Sequence, residues 1–434
     1  MAFKRSSKPN LPNFVQTKVD QFFEHRVAKI WDNGDLLYGK CIPKKDSVVI
    51  NNNDYLCLSA NEDVGREQKK TIDMYGSGQM MSGTFRNTED LQYIFEGKMA
   101  NFLNTEDSLL TQSGWKANVG LIQSIADKDT VVYIDMFAHM SMWEGGHSAS
   151  AKVVPFLHND MKHLRKKIKS NGPGVICVDS IYSTDGSECP LLELADLAEE
   201  FKCCLIVDES HSLGTHGDHG EGLVSKLGIG DKVQFITASL SKAFCSRAGI
   251  ITCSTKQKKY FSYTSRPAIF SSVVTLPEVS GMIKMIDVVK EASPQRSRLM
   301  KNADYIRSRL LEMGFDLDNN NSQIIGLKCG TDTQVVYVRD FLNNLGIFGS
   351  IFAAPATPAN RSIYRLSISS ELTLKELDKV LFACERLKDE GAEFVPKLLI
   401  RNEGKLKRFL GFKIKNKDNT ELNDKPELVQ EVSA

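Results

Sequence analysis

Short apolar stretches alternate with amphipathic stretches along the chain through about residue 250. The apolar stretches VVYID, GVICVD and LIVD predict buried strands, while the run after Gly114 up to Ile125 and the segment from Leu191 to Phe201 predict helices. A chain that alternates strands with helices in this way builds a parallel sheet with helices on both faces. We therefore predict an α/β fold with a mostly parallel central sheet.

The pattern differs on either side of this region. Before it, an amphipathic helix near Phe14 to Trp31 and a short strand at Ser47 to Ile50 predict an N-terminal arm. After it, a long helix of mixed charge is predicted to reach about Glu312, and further strands and helices follow. Thr373 and Glu376 have the spacing of a capping box, which predicts that a helix begins there.

These changes divide the chain into four predicted parts. We expect an N-terminal arm at 1–50, a large domain at 51–275, a linking helix with a small C-terminal domain at 276–400, and a charged tail at 401–434. The tail is rich in Lys, Asn and Glu, which is typical of a mobile segment.

Composition limits the classes of function. The 434 residues carry a formal net charge of +1, so no overall field favours nucleic acid or an acidic membrane surface. No run of about 18 apolar residues occurs, and the basic start MAFKRSSKPN lacks the apolar segment of a signal peptide. The ten cysteines show no CxxC spacing. We expect reduced thiols and a cytoplasmic protein that spans no membrane.

Lys242 lies in a turn of small residues between two predicted buried strands. A lysine in such a turn most often extends its ammonium group to solvent, and that interpretation stays open. The run CCLIVD, however, ends at Asp208 with His211 soon after it, and Lys242 follows Asp208 by 242 − 208 = 34 residues. The carboxyl ends of parallel strands meet at one edge of a sheet, which is where α/β folds bind ligands.

An acid, a histidine and a lysine at that edge suit pyridoxal phosphate. Lys242 would bond to its aldehyde carbon, and Asp208 would pair with the protonated ring nitrogen. His211 is then available for the ring hydroxyl, and Ser239 for the phosphate. Ser113, Gly114 and Trp115 precede or open a predicted helix, whose free N–H groups form a second candidate phosphate site.

Further polar residues follow other predicted strands or loops. His139 comes after the strand that ends near Asp135, although a hydrogen-bonded core histidine is an equally good interpretation. Ser183 lies in a polar loop after another strand, and Asn53 in a turn could contact a substrate. Arg365 lies within the predicted strand IYRLSIS, where it is either a solvent-facing edge residue or a clamp for a substrate carboxylate.

A different class of function rests on a dense group of acids and histidines. These residues could ligate a divalent metal in a hydrolase; they are Asp208, Glu209, His211, His216, Asp218 and His219. Their spacing matches no zinc pattern and leaves Lys242 without a role, so we predict no metal centre.

The ordered motifs of residues 50–390 resemble a known family. NDYLCLS, SGWKAN, IDMFAHMS, VDESHSLG and TASLSKAF look like those of the pyridoxal-phosphate-dependent α-oxoamine synthases, which have the type I aminotransferase fold. The stretches QSGWKANVGL, VDSIYST, VDESHSLGTHG and PAIFSS are most similar to the branch that makes α-hydroxyketone quorum-sensing autoinducers. The resemblance implies an acyltransferase that condenses an acyl-coenzyme A with a 2-aminobutyrate-like amino acid or S-adenosylmethionine. Other α-oxoamine synthases, such as 8-amino-7-oxononanoate synthase or 2-amino-3-ketobutyrate coenzyme A ligase, and aminotransferases remain alternatives.

The resemblance also implies roles for individual residues. His139 would stack on the cofactor ring, and Asn53 and Arg365 would contact the substrate. The other candidates would hold the cofactor; they are Ser113, Gly114, Trp115, Ser183, Asp208, His211, Ser239 and Lys242. Ser271 and Ser272 match positions that reach the phosphate of a neighbouring subunit, which implies a homodimer with shared active sites. Two features depart from the family pattern: Ser210 replaces an alanine beneath the ring, and Asn87 to Asp90 replace a region that often carries a histidine.

Overall fold

The computed structural model describes residues 10–31, 33–78, 80–85, 90–318 and 320–390. Residues 1–9 of the predicted arm, residues 87–89 of the departure from the family pattern, and the predicted tail at 401–434 lie outside the described residues.

A seven-stranded sheet forms the centre of the fold. Its strands, in chain order, are β2 (Asp107–Thr111), β3 (Val131–Asp135), β4 (Lys152–Phe156), β5 (Val175–Asp179), β6 (Cys204–Asp208), β7 (Phe235–Ser239) and β8 (Gly249–Cys253). Their order across the sheet is β2-β8-β7-β6-β5-β3-β4. β8 runs antiparallel to both of its neighbours, whereas β3 to β7 pair in parallel. The predicted α/β fold with a mostly parallel sheet is confirmed.

The burial of these strands explains why the sequence pattern predicted them. Every residue of β3 and β5 is buried, since helices cover both faces of the sheet. Such strands appear in the sequence as continuous apolar runs and not as alternating patterns.

The helices connect and cover the strands. In chain order they are α1 (Asn13–Phe22), which continues as a π-helix over Phe23–Ala28, α2 (Glu62–Tyr75), α3 (Leu91–Phe102), α4 (Gly114–Ile125), α5 (Met140–Ser148), α6 (Met161–Asn171), α7 (Leu191–Glu200), α8 (Leu223–Lys226), α9 (Thr255–Thr264), α10 (Arg266–Ile269), α11 (Leu276–Glu291), α12 (Ser293–Glu312), α13 (Asp332–Asn344) and α14 (Leu374–Glu390); a 3₁₀ turn covers Gly83–Phe85. Two predicted helices are confirmed: the one that follows Gly114 and ends at Ile125, and the one from Leu191 to Phe201.

The prediction of a single long helix that reaches Glu312 is wrong. Two helices, α11 and α12, meet at Ala292 instead. Pro294 stands in the first turn of α12, where its missing N–H is harmless, but the same ring prevents α11 from continuing through it.

A smaller sheet lies in the C-terminal part. It contains β11 (Ser350–Phe352), β12 (Ser362–Ser367) and β9 (Ile324–Gly330), all antiparallel, with β12 in the middle. A separate pair joins β1 (Val48–Val49) of the N-terminal arm to β10 (Ile347–Phe348). The capping box is confirmed, because the Thr373 N–H and hydroxyl both donate to Glu376 and the Glu376 N–H donates back to Thr373. The domain boundaries stay a prediction.

The carboxyl ends of β3, β5, β6 and β7 open toward the same side of the large sheet, and β12 faces them from the smaller sheet. Within the described ranges, the chain has no helix with the length and apolar character needed to cross a membrane.

Candidate active site

A cavity of about 1090 Å³ lies between the strand ends of the large sheet and the small sheet. All of the predicted site residues except Ser271 and Ser272 line it: Asn53, Ser113, Gly114, Trp115, His139, Ser183, Asp208, His211, Ser239, Lys242 and Arg365. Residues from both ends of the sequence therefore meet in one space, as a ligand-binding site at this edge of an α/β sheet requires.

Lys242 enters the cavity from the turn that follows β7. Burial lowers the pKa of its ammonium group, and the nearby positive charge of Arg365 lowers it further, while Asp208 acts in the opposite direction. The ammonium group makes no hydrogen bond within the part of the chain that the structure describes. The lysine is therefore not a surface residue whose charge reaches solvent, and its amine loses its proton more readily than that of an ordinary lysine.

Asp208 ends β6 and is held by two hydrogen bonds. Asn118 Nδ2 donates to its Oδ2 at 2.7 Å, and the Ser210 N–H donates to its Oδ1 at 2.8 Å. Asn118 is fixed in turn by the Thr237 hydroxyl, which donates to its Oδ1 at 2.6 Å. The carboxylate is thus oriented from β6, β7 and α4 together.

Sequence reasoning missed Asn118. It lies four residues after Gly114 in α4, so the two residues share one face of that helix. This spacing from the predicted phosphate site was a usable signal.

The start of α4 forms a close-fitting anion site. Ser113 caps the helix by accepting the Lys116 N–H, and no acceptor in the described residues takes the N–H groups of Gly114 and Trp115. A Cβ at position 114 would lie 2.6 Å from the Cβ of Ser239, so only glycine lets the two segments approach this closely. Free N–H groups at a helix start, beside serine hydroxyls, are suited to a phosphate.

His139 caps α5 at another strand end. Its Nδ1 lies 2.8 Å from the Ser141 hydroxyl, and its ring meets the Trp115 ring edge to face at 5.9 Å between centroids. The protein packed around the ring lowers its pKa, although the charge of Asp208 opposes this. One face of His139 is open to the cavity.

Arg365 is buried, with only 4% of its surface exposed, so its interpretation as a solvent-facing edge residue is wrong. β12 is the middle strand of its sheet, which explains the burial. Its Nη1 donates to the Ser183 carbonyl at 2.6 Å and its Nη2 to Asn53 Oδ1 at 3.0 Å, while Phe352 lies under the guanidinium at 4.6 Å. Its Nε is buried without a hydrogen-bond partner in the described residues. Ser183 thus contributes its backbone carbonyl.

His211 lies in the cavity wall on the side of the N-terminal segment. Its Nδ1 is 2.7 Å from the hydroxyl of Tyr55, a residue that sequence reasoning missed. Burial lowers the pKa of His211 well below its usual range, and the charges of Lys242 and Arg365 add to this effect. The ring is therefore neutral.

Three further serines are singled out by the sequence: Ser210, which departs from the family pattern, and the candidate phosphate contacts Ser271 and Ser272. Ser210 lines the cavity, and its hydroxyl accepts the Ser239 N–H at 2.7 Å, so it ties the end of β6 to the end of β7. Ser271 and Ser272 do not line the cavity; the Ser271 hydroxyl donates to the Pro267 carbonyl. Their predicted contact with a neighbouring subunit stays a prediction.

Five apolar residues of the sequence are candidates for lining an acyl-chain tunnel, namely Met80, Met81, Phe244, Phe348 and Phe352, and of these five only Phe352 lines the cavity. Phe244 and Phe348 are buried in the core, Met80 is exposed, and Met81 lies outside the cavity wall.

The alternative metal cluster is not assembled. Glu209 Oε1 accepts the Val224 N–H at 2.8 Å, and His216 Nδ1 lies 2.9 Å from the Thr215 hydroxyl, so these side chains face separate partners. Among the residues that the structure describes, no three His, Cys, Asp or Glu side chains are grouped as metal ligands.

The donor set fits pyridoxal phosphate. It offers an anion site at the start of α4, an oriented carboxylate for a ring nitrogen, and a lysine whose amine is easily deprotonated. Such a combination within one cavity matches the phosphate, the pyridine ring and the aldehyde of this cofactor.

Comparisons with known proteins agree with this interpretation. Residues 45–383 match the family described as aminotransferase class I and II. The chain is 42% identical to the CAI-1 autoinducer synthase of Vibrio campbellii over 385 residues, which cover 89% of this chain and 97% of that protein. It is 28% identical to the 8-amino-7-oxononanoate synthase of Lysinibacillus sphaericus, over 80% of this chain and 90% of that one.

Solved structures show the same fold. The serine palmitoyltransferase of S. paucimobilis, with a bound PLP-myriocin aldimine, superposes with a TM-score of 0.81 at 23% identity, covering 87% of this chain and 99% of that one. The 8-amino-7-oxononanoate synthase of Francisella tularensis superposes with a TM-score of 0.72 at 22% identity, covering 81% of this chain and 100% of that one.

Proposed function

This chain belongs to the class I and II aminotransferase family and is a pyridoxal-phosphate-dependent acyltransferase of the α-oxoamine synthase type, and from that premise we propose its substrates. It condenses an acyl-coenzyme A with a 2-aminobutyrate-like amino acid or S-adenosylmethionine. The product is an aminoketone, the precursor of an α-hydroxyketone autoinducer. The likeness to the Vibrio campbellii autoinducer synthase supports this choice of branch.

The observation that carries the proposal is the buried guanidinium of Arg365. Its Nε lacks a partner in the described residues, and it lines the same cavity as Lys242. A buried, incompletely paired guanidinium favours a ligand with a carboxylate, because that ligand supplies the missing acceptor and the opposite charge. Both proposed donors carry such a carboxylate.

The residues of the site would divide the work between them. When bound, pyridoxal phosphate supplies an aldehyde for an amine and a protonated ring that stabilises negative charge at the α-carbon of the donor. Gly114, Trp115 and Ser239 would hold its phosphate, and Asp208 its ring nitrogen. His139 would cover one face of the ring.

Lys242 is the proposed base. Its lowered pKa makes the neutral amine available to take the α-proton of the donor. The α-carbon then bonds to the acyl carbonyl carbon, the carbon–sulfur bond breaks, and coenzyme A leaves as the thiol. The carboxylate held at Arg365 leaves as carbon dioxide, and the α-carbon takes back the proton held at Lys242, which yields the aminoketone; the departing sulfur takes its proton from solvent.

We also propose that the enzyme is a cytoplasmic homodimer. The ten cysteines are all free thiols, which supports a reducing compartment. Large apolar side chains of the N-terminal helix are exposed in the single chain, among them Phe14, Phe22 and Phe23, which supports a second copy as their cover.

The test is a product assay with purified protein and added pyridoxal phosphate. Acyl-coenzyme A thioesters of increasing chain length are paired with 2-aminobutyrate, S-adenosylmethionine, alanine or serine, and both free coenzyme A and the product mass are measured. We expect coenzyme A release with an aminoketone from 2-aminobutyrate or S-adenosylmethionine. Transamination without coenzyme A release would contradict the proposal, and a strict preference for alanine or serine would move the chain to another branch.

Two variants connect the assay to the site. Lys242→Ala should abolish turnover, whereas the exposed Lys256→Ala serves as its control. Arg365→Gln should raise the KM for the amino donor by about 10- to 100-fold, since a hydrogen bond to a charged group contributes about 1.5–3 kcal/mol. An unchanged KM would remove Arg365 from donor recognition.

A further inference from the structure

A chain of hydrogen bonds runs from Arg365 to His211 through the cavity wall. Arg365 Nη2 is 3.0 Å from Asn53 Oδ1, Asn53 Oδ1 is 3.2 Å from the Tyr55 hydroxyl, and that hydroxyl is 2.7 Å from His211 Nδ1. The first of these groups recognises the donor in the function proposed above, and the last lines the cavity that would hold the cofactor.

Taken together as hydrogen bonds, the three contacts of this chain have their direction set from the arginine end. A guanidinium only donates, so the Asn53 atom beside it must be the amide oxygen. That oxygen only accepts, so the Tyr55 hydroxyl must donate its one proton to it. The Tyr55 oxygen can then only accept from His211, which requires a proton on Nδ1.

The protonation states of the two rings agree with this direction. Burial raises the pKa of Tyr55, so its hydroxyl keeps its proton. Burial lowers the pKa of His211, so its ring carries one proton and not two. Gln323 donates to the His211 carbonyl at 2.7 Å and holds the backbone of the same residue in place.

The other ring nitrogen is left for a ligand. His211 lines the cavity, and its Nε2 makes no hydrogen bond within the part of the chain that the structure describes. With the proton on Nδ1, Nε2 carries a lone pair and can only accept.

We propose that Tyr55 is a positioning residue that fixes His211 as the Nδ1–H tautomer, so that Nε2 presents a hydrogen-bond acceptor to the cavity. A cofactor group that met Nε2 would then have to donate the hydrogen bond. A His211 ring with its proton on Nε2 would instead donate to that group. Tyr55 would thus decide the direction of this hydrogen bond without touching the cofactor.

The tautomer can be measured directly by nitrogen NMR. The full-length protein is labelled with ¹⁵N-histidine and studied without cofactor, and His211 is identified among the eight histidines by its loss in His211→Gln. In the unsubstituted protein, we expect the shift of a protonated nitrogen for Nδ1 and that of an unprotonated nitrogen for Nε2.

Two variants should change this state in different ways. Tyr55→Phe removes the acceptor of the Nδ1 proton, so the fixed tautomer should be lost and replaced by a mixture. Asn53→Ala removes the acceptor of the tyrosine proton, so Tyr55 can donate to Nδ1 and the proton of His211 should move to Nε2. Tyr133→Phe is the matched control, since it removes a buried tyrosine hydroxyl that bonds the Gly172 carbonyl far from His211; it should leave the tautomer unchanged.

Some outcomes would overturn the proposal. These are a proton on Nε2 in the unsubstituted protein, or a His211 tautomer that is the same in Tyr55→Phe and Asn53→Ala as in the parent. The proposal rests on the proposed function only for the identity of the cavity ligand. Because the NMR measurement uses no substrate or cofactor, a failed acyltransferase assay beside a fixed Nδ1–H tautomer would reject the proposed function alone.

Discussion

At the scale of single residues, neighbouring side chains orient the functional groups of the site through hydrogen bonds. Asp208 is oriented by Asn118, and His211 by Tyr55. The sequence predicted Asp208 and His211, because residues at strand ends can be placed from local patterns. It did not predict Asn118, although the spacing from Gly114 was a usable signal, and it did not predict Tyr55, which lies 156 positions from His211 and is brought to it by the fold.

The pH dependence of cofactor attachment should reflect the environment of Lys242. The lowered pKa means that the reactive neutral amine is present at lower pH than for an ordinary lysine. The rate at which pyridoxal phosphate attaches to cofactor-free enzyme should therefore rise with pH to a plateau, with a midpoint below 10.5. Absorbance changes after rapid mixing at a series of pH values measure this midpoint.

Arg365→Gln removes the positive charge that lowers the pKa of Lys242, so the midpoint should move to higher pH. Arg361→Gln removes a charge from an exposed residue of the same cavity and should move it less. Equal shifts in the two variants, or a downward shift in Arg365→Gln, would contradict this account.

Asn118→Ala should weaken cofactor binding. The change removes a 2.7 Å hydrogen bond to the Asp208 carboxylate, and such bonds to charged groups contribute about 1.5–3 kcal/mol. We expect the Kd for pyridoxal phosphate to rise by about 10- to 100-fold in a titration followed by absorbance. Asn302→Ala, which removes an amide bonded to the Ser369 and Leu372 carbonyls elsewhere, should leave the Kd unchanged.

At the scale of elements, His158 connects two loops of the site through hydrogen bonds. His158 Nδ1 is 2.9 Å from Asp135 at the end of β3, and its Nε2 is 2.9 Å from the Ser187 hydroxyl after β5. Phe137 stacks on the ring at 4.2 Å, and Tyr182 meets it edge to face. The loops that it joins lead to His139 and contain Ser183.

His158→Ala should destabilise the protein strongly. It removes a hydrogen bond to the fully buried Asp135 carboxylate, and such bonds to charged groups contribute about 1.5–3 kcal/mol. A clear drop in Tm is expected by thermal unfolding. The exposed His219→Ala should change stability by no more than about 0.5 kcal/mol, and an equally small effect of His158→Ala would show that the network contributes little.

The elements themselves were largely predictable. Buried strands such as β3 and β5 are continuous apolar runs, and the capping box marked the start of α14 correctly. The break between α11 and α12 was missed, because mixed-charge helical periodicity continues across it; Pro294 in the first turn of α12 was the sequence signal for the break.

At the scale of the whole molecule, the buried Glu209 should contribute to the pH dependence of stability. Burial raises the pKa of Glu209 from 4.5 to about 7. Between these values the folded protein binds more protons than the unfolded chain, so the free energy of unfolding should fall as pH rises through this range. The loss attributable to Glu209 is about 3–4 kcal/mol at most, at about 1.4 kcal/mol per pKa unit.

Glu209→Gln cannot titrate and should flatten this part of the stability profile, as measured by Tm at pH values from 5 to 8. The exposed Glu193→Gln should retain the profile of the parent. A Glu209→Gln profile as steep as that of the parent would contradict the assignment.

The position of β8 has a consequence for how the protein is made. β2 lies at the edge of the sheet, and its only partner there is β8, whose residues 249–253 leave the ribosome long after residues 107–111. Gly249 of β8 also packs directly against the backbone of Ser113 and Gly114. The nascent chain therefore cannot complete the anion site at the start of α4 until β8 has been synthesised. Lys242 precedes β8 in the chain, so it has been synthesised by then. Contacts between such distant segments form slowly, so cofactor capture should follow the synthesis of the large sheet and mark its completion.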